Sequence, residues 1–239
     1  MEGKKSTHKD TLATITKGRE RTNILKKYEQ NLLAFLVQRI PMWMTPNVLT
    51  GIGLIGTFIT MGSFILAHFY CRTFLLLGIL GFLINWFGDS LDGRVAYYRN
   101  IPRKWYGFSL DFIVDWIANI CIGIGYIVYV ESYYEFFGFG FVVLYGWAMM
   151  MALLRYKIIG KYTIDSGIFG PTEVRIVLST VLVLEVLVKD SIIYSSAIAC
   201  LILLVLNIKD FRTLLTLADQ RDKQEKKEKQ EKEEHSSHE

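Results

Sequence analysis

The stretch GFLINWFGDSLDGRVAYYRNIPRKWYGFSLDFIVDWIANI, residues 81–120, sets four aspartates, Asp89, Asp92, Asp111 and Asp115, into two otherwise apolar segments. Segments this long and apolar read as membrane-spanning helices. A carboxylate at the centre of such a helix costs about 2.5–3.5 kcal/mol even on the lenient insertion scale, so four of them demand compensation. On a helix, Asp89 and Asp92 (i, i+3) share a face, as do Asp111 and Asp115 (i, i+4). Ile101-Pro102 interrupts the run. Folding the chain there brings residues equidistant from the turn to one level, Asp89 with Asp115 and Asp92 with Asp111. The expectation is a helical hairpin with one acidic layer. Oxygen-rich clusters suit hard cations such as Mg²⁺ or Mn²⁺. Four carboxylates neutralise two divalent cations, an arrangement suited to in-line displacement at phosphorus.

Small residues border the carboxylates. Gly93 follows Asp92, Ala96 lies four residues beyond it, and Gly107 precedes Asp111 by four. Missing side chains there leave room for a phosphate or nucleotide to approach the backbone. Asn85 is i−4 from Asp89 and Asn119 is i+4 from Asp115, so both fall on the acidic faces one turn deeper. The mirror fold sets them opposite each other, with Gly81 against Gly123 a turn further down. An amide in lipid needs partners. Asn85 and Asn119 are therefore expected to bond to each other and to orient the carboxylates as a supporting shell; an interhelical clasp without catalytic effect is the plainer reading of the same pair.

Outward from this hairpin, the chain of 239 residues is 51% hydrophobic with a net charge of +4. Six apolar segments, 46–70, 73–97, 107–130, 136–154, 171–188 and 191–208, each approach the length of a spanning helix. The fold class expected is an all-α integral membrane protein of six transmembrane helices. Lys and Arg concentrate before the first segment, between the second and third (Arg94, Arg99, Arg103, Lys104) and between the fourth and fifth (Arg155, Lys157, Lys161). The alternate loops carry only Arg72, then Glu131 and Glu135, then Lys189, so both termini are expected in the cytoplasm. Residues 21–41 place Ile24, Leu25, Tyr28, Leu32, Phe35, Leu36 and Ile40 at helical spacing, which reads as an amphipathic helix on the inner membrane surface. The domain reading is a polar N-terminal segment 1–20, the juxtamembrane helix 21–41, a six-helix domain 42–214 and a charged tail 215–239. The tail is too polar to bury a core and reads as a solvated helix extension or as disorder.

Other classes are weakly supported. Nucleic acid is not an expected partner, since no basic recognition motif is present. Cys71, Cys121 and Cys200 form no metal or disulfide pattern, the four histidines join no catalytic arrangement, and no cleaved signal peptide is expected from the polar start, which lacks an early apolar run. Arg155, Lys157, Lys161 and Arg175 lie at cytoplasmic ends of spans, where they would grip an anionic acceptor group or simply obey the positive-inside rule. Gly170-Pro171-Thr172-Glu173 reads as a helix start. A divalent-cation transporter is the alternative of a different class, but it needs a polar path to the far side, and beyond Asp89 and Asp115 the second and third spans are mostly apolar.

The run Asp89-Ser-Leu-Asp92-Gly93-Arg-Val-Ala96, then Gly107-Phe-Ser-Leu-Asp111-Phe-Ile-Val-Asp115, resembles the signature of the CDP-alcohol phosphotransferase family, D-x-x-D-G-x-x-A-R, a short spacer, then G-x-x-x-D-x-x-x-D. The resemblance extends to Thr45-Pro46-Asn47-Val48-Leu49-Thr50 and covers most of the chain except the tail. It implies that Asp89, Asp92 and Asp111 bind two divalent metals, Mg²⁺ or Mn²⁺, and that Asp115 also touches metal and acts as general base. Gly93, Ala96 and Gly107 would line the nucleotide pocket, with Asn47 and Thr50 at its edge. The activity implied is transfer of a phosphatidyl-type group from a CDP-linked donor, with CDP-diacylglycerol preferred, to an alcohol hydroxyl with release of CMP. The reverse pairing joins a soluble CDP-alcohol to a lipid hydroxyl. A homodimer in a bilayer is implied, and the short chain leans toward a bacterial plasma membrane. One position departs from the signature, because Tyr97 stands where the family has arginine.

Overall fold

The computed structural model describes residues 26–159 and 170–236. Among them the chain is all-helical. The order is α1 (Lys26–Val37), α2 (Pro46–Phe69), a 3-10 turn (Arg72–Leu75), α3 (Leu76–Tyr98), α4 (Lys104–Tyr129), a second 3-10 turn (Ser132–Tyr134), α5 (Glu135–Ile159), α6 (Pro171–Leu187) and α7 (Ser191–Ser236). Five helices are long and apolar enough to cross a membrane: α2, α3 with its leading turn, α4, α5 and α7. The fifth expected span, α6, has 17 residues, about 25 Å of helix, and is not among the five. The polar segment 1–20, the start of the juxtamembrane helix and Lys161 lie outside the described residues. The charged tail continues α7 without a break as far as Ser236.

Local chemistry sets the helix ends. Thr45 caps α2 by accepting from the Val48 amide at 3.3 Å, and Pro46 takes the first helical position. Asn100, at φ 58°, stops α3 in the left-handed conformation that asparagine tolerates better than most residues. Glu173 caps the start of α6 from its first turn, accepting from the Gly170 amide at Oε2 at 3.1 Å. At the opposite end of α6, buried Glu185 accepts from Tyr129 Oη at 2.8 Å, Ser191 Oγ at 3.1 Å and the amides of Asp190 and Ile192 at 3.1 and 2.8 Å. That carboxylate caps α7 and closes the α6–α7 hairpin.

The tightest packing joins α2 to α3. A Cβ on Gly56 would lie 2.5 Å from the Asn85 amide nitrogen and 2.6 Å from the Gly81 carbonyl. Thr57, Thr60 and Ser63 are buried along the same side of α2, and Thr60 Oγ1 donates to the Gly78 carbonyl across the interface at 3.3 Å. Small residues bring backbones together where lipid supplies no hydrophobic drive between helices. This contact corrects the mirrored hairpin. α2 packs on both α3 and α4, while α3 and α4 have little direct backbone contact. Gly81 faces Gly56 and Thr60, and Gly123 faces Gly138 and Val142 of α5, so the two glycines do not pair.

One apolar core gathers Phe64, Phe82, Tyr126, Leu182 and Ile192 toward the far end. A second joins Leu33, Ala34 and Val37 of α1 to Leu49, Leu91 and Val95 near the acidic end. α1 thus turns Leu33, Ala34 and Val37 inward with Leu36 and Ile40 packed beside them, and leaves Tyr28, Leu32 and Phe35 of its apolar face exposed. Bulky side chains on the outer faces of α5 to α7 are also bare, including Phe139, Leu187 and Leu201. An apolar exterior of this extent fits a lipid environment.

Gly56→Ala is expected to destabilise the purified protein by about 1–3 kcal/mol through overpacking. Gly62→Ala, whose added Cβ meets nothing within 4 Å, should be neutral or slightly stabilising. Thermal melts in detergent distinguish the two.

Candidate metal centre

Asp89 stands on α3, and Asp111 and Asp115 on successive turns of α4. Each offers one carboxylate oxygen, and the three oxygens lie within 4.8 Å of one another. All three residues are half-buried. The donor set is carboxylate only, which suits a hard divalent cation; the three residues present fit one. Asp92 is not part of this triad. Its Oδ2 accepts from Thr50 Oγ1 at 2.7 Å, and its Oδ1 accepts from the Gly93 amide. The expected layer of four is thus a group of three with the fourth carboxylate held to one side by α2.

Arg175 enters the centre from α6. Its Nη2 donates to Asp89 Oδ2 at 2.6 Å and its Nε to Asn85 Oδ1 at 2.8 Å. The pair is largely buried, with 14% of the Arg175 side chain and 22% of the Asp89 side chain exposed, and the Arg175 Nη1 atom is buried without a hydrogen-bond partner. Asn85 itself donates to the Gly53 carbonyl at 3.1 Å and to Thr57 Oγ1 at 3.2 Å. It thereby ties α2, α3 and α6 together one turn below Asp89. Among the described residues, Arg175 is the one member of the expected acceptor-binding set at the acidic group, and its contact there is a carboxylate.

The other expected residues separate from the centre to different degrees. Thr50 touches it through Asp92. Asn47 lies one turn before Thr50 on α2, bonded to Arg103 and Tyr106. Gly93 reaches it only through its amide. Gly107 lies in the first turn of α4 with open space where a Cβ would stand, and Ala96 is half-buried near the end of α3. Asn119 corrects the paired-amide expectation. Its Nδ2 donates to the Val142 carbonyl of α5 at 3.2 Å, and its Oδ1 is buried without a partner. Arg155 pairs with Asp210 of α7 at 3.3 Å, and the exposed Lys157 offers only its carbonyl, to Arg221. Arg155 thus braces α5 against α7, as Arg221 does through the Lys157 carbonyl, and neither Arg155 nor Lys157 converges on the acidic group.

Two sets of contacts escaped the sequence reading. Trp86 Nε1 donates to Thr172 Oγ1 at 3.2 Å, and Thr172 Oγ1 donates to Glu29 Oε1 at 3.1 Å. This links α3, α6 and α1 one turn away from the Arg175–Asp89 pair. Arg99 donates to the carbonyls of Ile40, Pro41 and Met44 at 2.8–3.0 Å, pinning the α1–α2 connection to the end of α3. The signal available for Arg175 was its place inside an apolar span, where a cation requires an anionic partner. Protein-family models and curated proteins, compared with this chain, produce no match.

Asn85→Leu removes the acceptor of Arg175 Nε and two anchors to α2. Its metal midpoint, read by Mn²⁺ titration, is expected to rise about tenfold. Asn119→Leu should leave that midpoint unchanged, because its amide points to α5. An equal shift in both variants would contradict this division.

Proposed function

We propose that the chain is a membrane-embedded, divalent-metal-dependent phosphotransferase of the CDP-alcohol phosphotransferase type. The observation that carries the reading is the convergence of Asp89, Asp111 and Asp115 within 4.8 Å among helices of membrane-spanning length and composition. The spacing of these aspartates and of Asp92, Gly93, Ala96 and Gly107 resembles the family signature at every position but Tyr97, where the family has arginine. In this reading α6 is a sixth span, its internal charges held by Asp89 and by its own caps. α1 rests at the cytoplasmic interface with Tyr28, Leu32 and Phe35 toward lipid. Both termini are cytoplasmic, the membrane is a bacterial plasma membrane, and the active form is a homodimer.

The substrate is a CDP-linked donor, CDP-diacylglycerol by preference, and a polar alcohol. Asp89, Asp92 and Asp111 would hold divalent cations with Asp115, and the bound cations supply charge neutralisation for the diphosphate. Asp115 removes the proton from the acceptor hydroxyl. The hydroxyl oxygen forms a bond to the β-phosphorus, the phosphoanhydride bond breaks, and CMP leaves with the bridging oxygen. Thr50 fixes the Asp92 carboxylate and Arg175 fixes Asp89, so both are oriented before substrate arrives. Gly93, Ala96 and Gly107 leave space for the nucleotide. Arg175 remains the acceptor-side cation by position.

The buried core of Phe64, Phe82 and Tyr126 beyond the acidic group favours this enzyme over a cation transporter, since an ion path needs polar lining through that depth.

CMP release from CDP-diacylglycerol, measured against a panel of alcohols, should require Mg²⁺ or Mn²⁺ and cease in excess EDTA. Turnover that persists without divalent cation would refute the reading. Asp115→Asn is expected to lower kcat by roughly 10²–10⁴-fold while CDP still binds; equal loss of both would reduce Asp115 to a ligand.

A further inference from the structure

Three exposed side chains from two helices close a ring beside the acidic centre. Asn47 stands in the first turn of α2, Arg103 immediately precedes α4, and Tyr106 lies in its first turn. Arg103 Nη2 donates to Asn47 Oδ1 at 2.6 Å, Asn47 Nδ2 donates to Tyr106 Oη at 3.3 Å, and the Arg103 guanidinium sits 4.0 Å from the Tyr106 ring centroid. An exposed arginine ordinarily keeps its rotamer freedom. Here a hydrogen bond and an aromatic face hold it in one place.

The ring is aligned with the carboxylates on both helices. On α4, Arg103, Gly107, Asp111 and Asp115 follow at four-residue steps, so they lie along one edge of the helix. Nothing would meet a Cβ at Gly107 within 4 Å, so there is open space at the turn between Arg103 and Asp111. On α2, Asn47 is one turn from Thr50, whose hydroxyl holds Asp92 at 2.7 Å. The ring thus faces the acidic centre across a gap of about two helical turns, on the order of 12 Å along α4. That distance is helix rise, which the Arg103 and Asp111 side chains shorten from both ends. A diphosphate seated between the carboxylates and the ring is therefore within reach of the Arg103 guanidinium, with its nucleoside on the Tyr106 side.

Charge singles out Arg103 among the nearby arginines. Arg175 is bound to Asp89 and Asn85, Arg94 donates to the Ser90 carbonyl, and Arg99 is occupied by three carbonyls. Arg103 uses one of its five N–H donors, on a neutral amide. We propose that Arg103, held by Asn47 and Tyr106, is a donor-binding residue that contacts the phosphates of a nucleoside diphosphate, with the Tyr106 ring alongside the nucleoside. The proposal rests on the phosphotransferase reading and names residues of its donor site.

The test is isothermal titration of the purified full-length protein with Mn²⁺ present, using CDP, inorganic pyrophosphate and cytidine as separate probes. Arg103→Ala is expected to raise the Kd for CDP and for pyrophosphate about tenfold or more, with cytidine unchanged. Arg103→Gln, which keeps the length and a donor for Asn47, should lose affinity similarly. Tyr106→Ala should weaken CDP more than pyrophosphate. Unchanged CDP affinity in either Arg103 variant at wild-type melting temperature overturns the proposal, as does a loss confined to cytidine. Wild-type protein that binds CDP with this Arg103 dependence yet releases no CMP from CDP-diacylglycerol would sink the reaction while supporting the site. Wild-type protein that binds no CDP would overturn both.

Discussion

Gly56 and Gly81 let the backbones of α2 and α3 touch, and the position of the acidic group follows from that contact. Along α2, Gly53, Gly56, Thr57 and Thr60 present little more than backbone and hydroxyls; α3 answers with Gly78, Gly81, Asn85 and Gly88. A larger side chain at these positions would push the helices apart. Thr50 would then lose Asp92, and Asn85 would lose Gly53. The polar residues in the seam need one another because lipid offers them no alternative, so the same residues that permit close approach also fix its register.

Three carboxylate oxygens within 4.8 Å repel by on the order of 3–4 kcal/mol per pair at the effective dielectric suited to partly buried sites. Arg175 relieves part of this by pairing with Asp89, but one guanidinium cannot balance three anions. Bound divalent cations would complete the balance in the proposed reaction. Arg175 then has a second consequence. It bonds Asp89 Oδ2 and Asn85 Oδ1 at once, so the carboxylate and the amide one turn below it are tied to α6 through a single side chain.

Periodicity within a helix was legible in the sequence, while contact between helices was only partly so. Asp111 and Asp115 at four-residue spacing do face one way, and Asp89 does reach them. Folding α3 directly onto α4 failed, because the expectation took chain neighbours for spatial neighbours. The glycine and threonine pattern of α2 competes for the same face of α3 and wins, which sends Asn85 toward α2 and α6 and Asn119 toward α5. Arg155 and Lys157 illustrate a related limit. A cation at a helix end obeys the positive-inside rule whether it grips a ligand or, like Arg155, a partner helix, and composition does not distinguish these.

The same logic accounts for α6, the expected span that is not among the five helices long and apolar enough to cross a membrane. Its 17 residues include Glu173, Arg175 and Glu185, each of which would be costly in lipid if unpaired. Every one has an internal partner: Glu173 takes the Gly170 amide, Arg175 takes Asp89 and Asn85, and Glu185 takes the start of α7 and Tyr129. Thr172 adds a rung to Trp86 and Glu29 one turn from Arg175. α6 is therefore secured to α3 by polar rungs at its acidic end and by Leu182 in the apolar core at the other. A short helix fastened in this way can carry a charged side chain into the bundle and hold it there. A longer, purely apolar span would bury more surface but deliver no cation to Asp89.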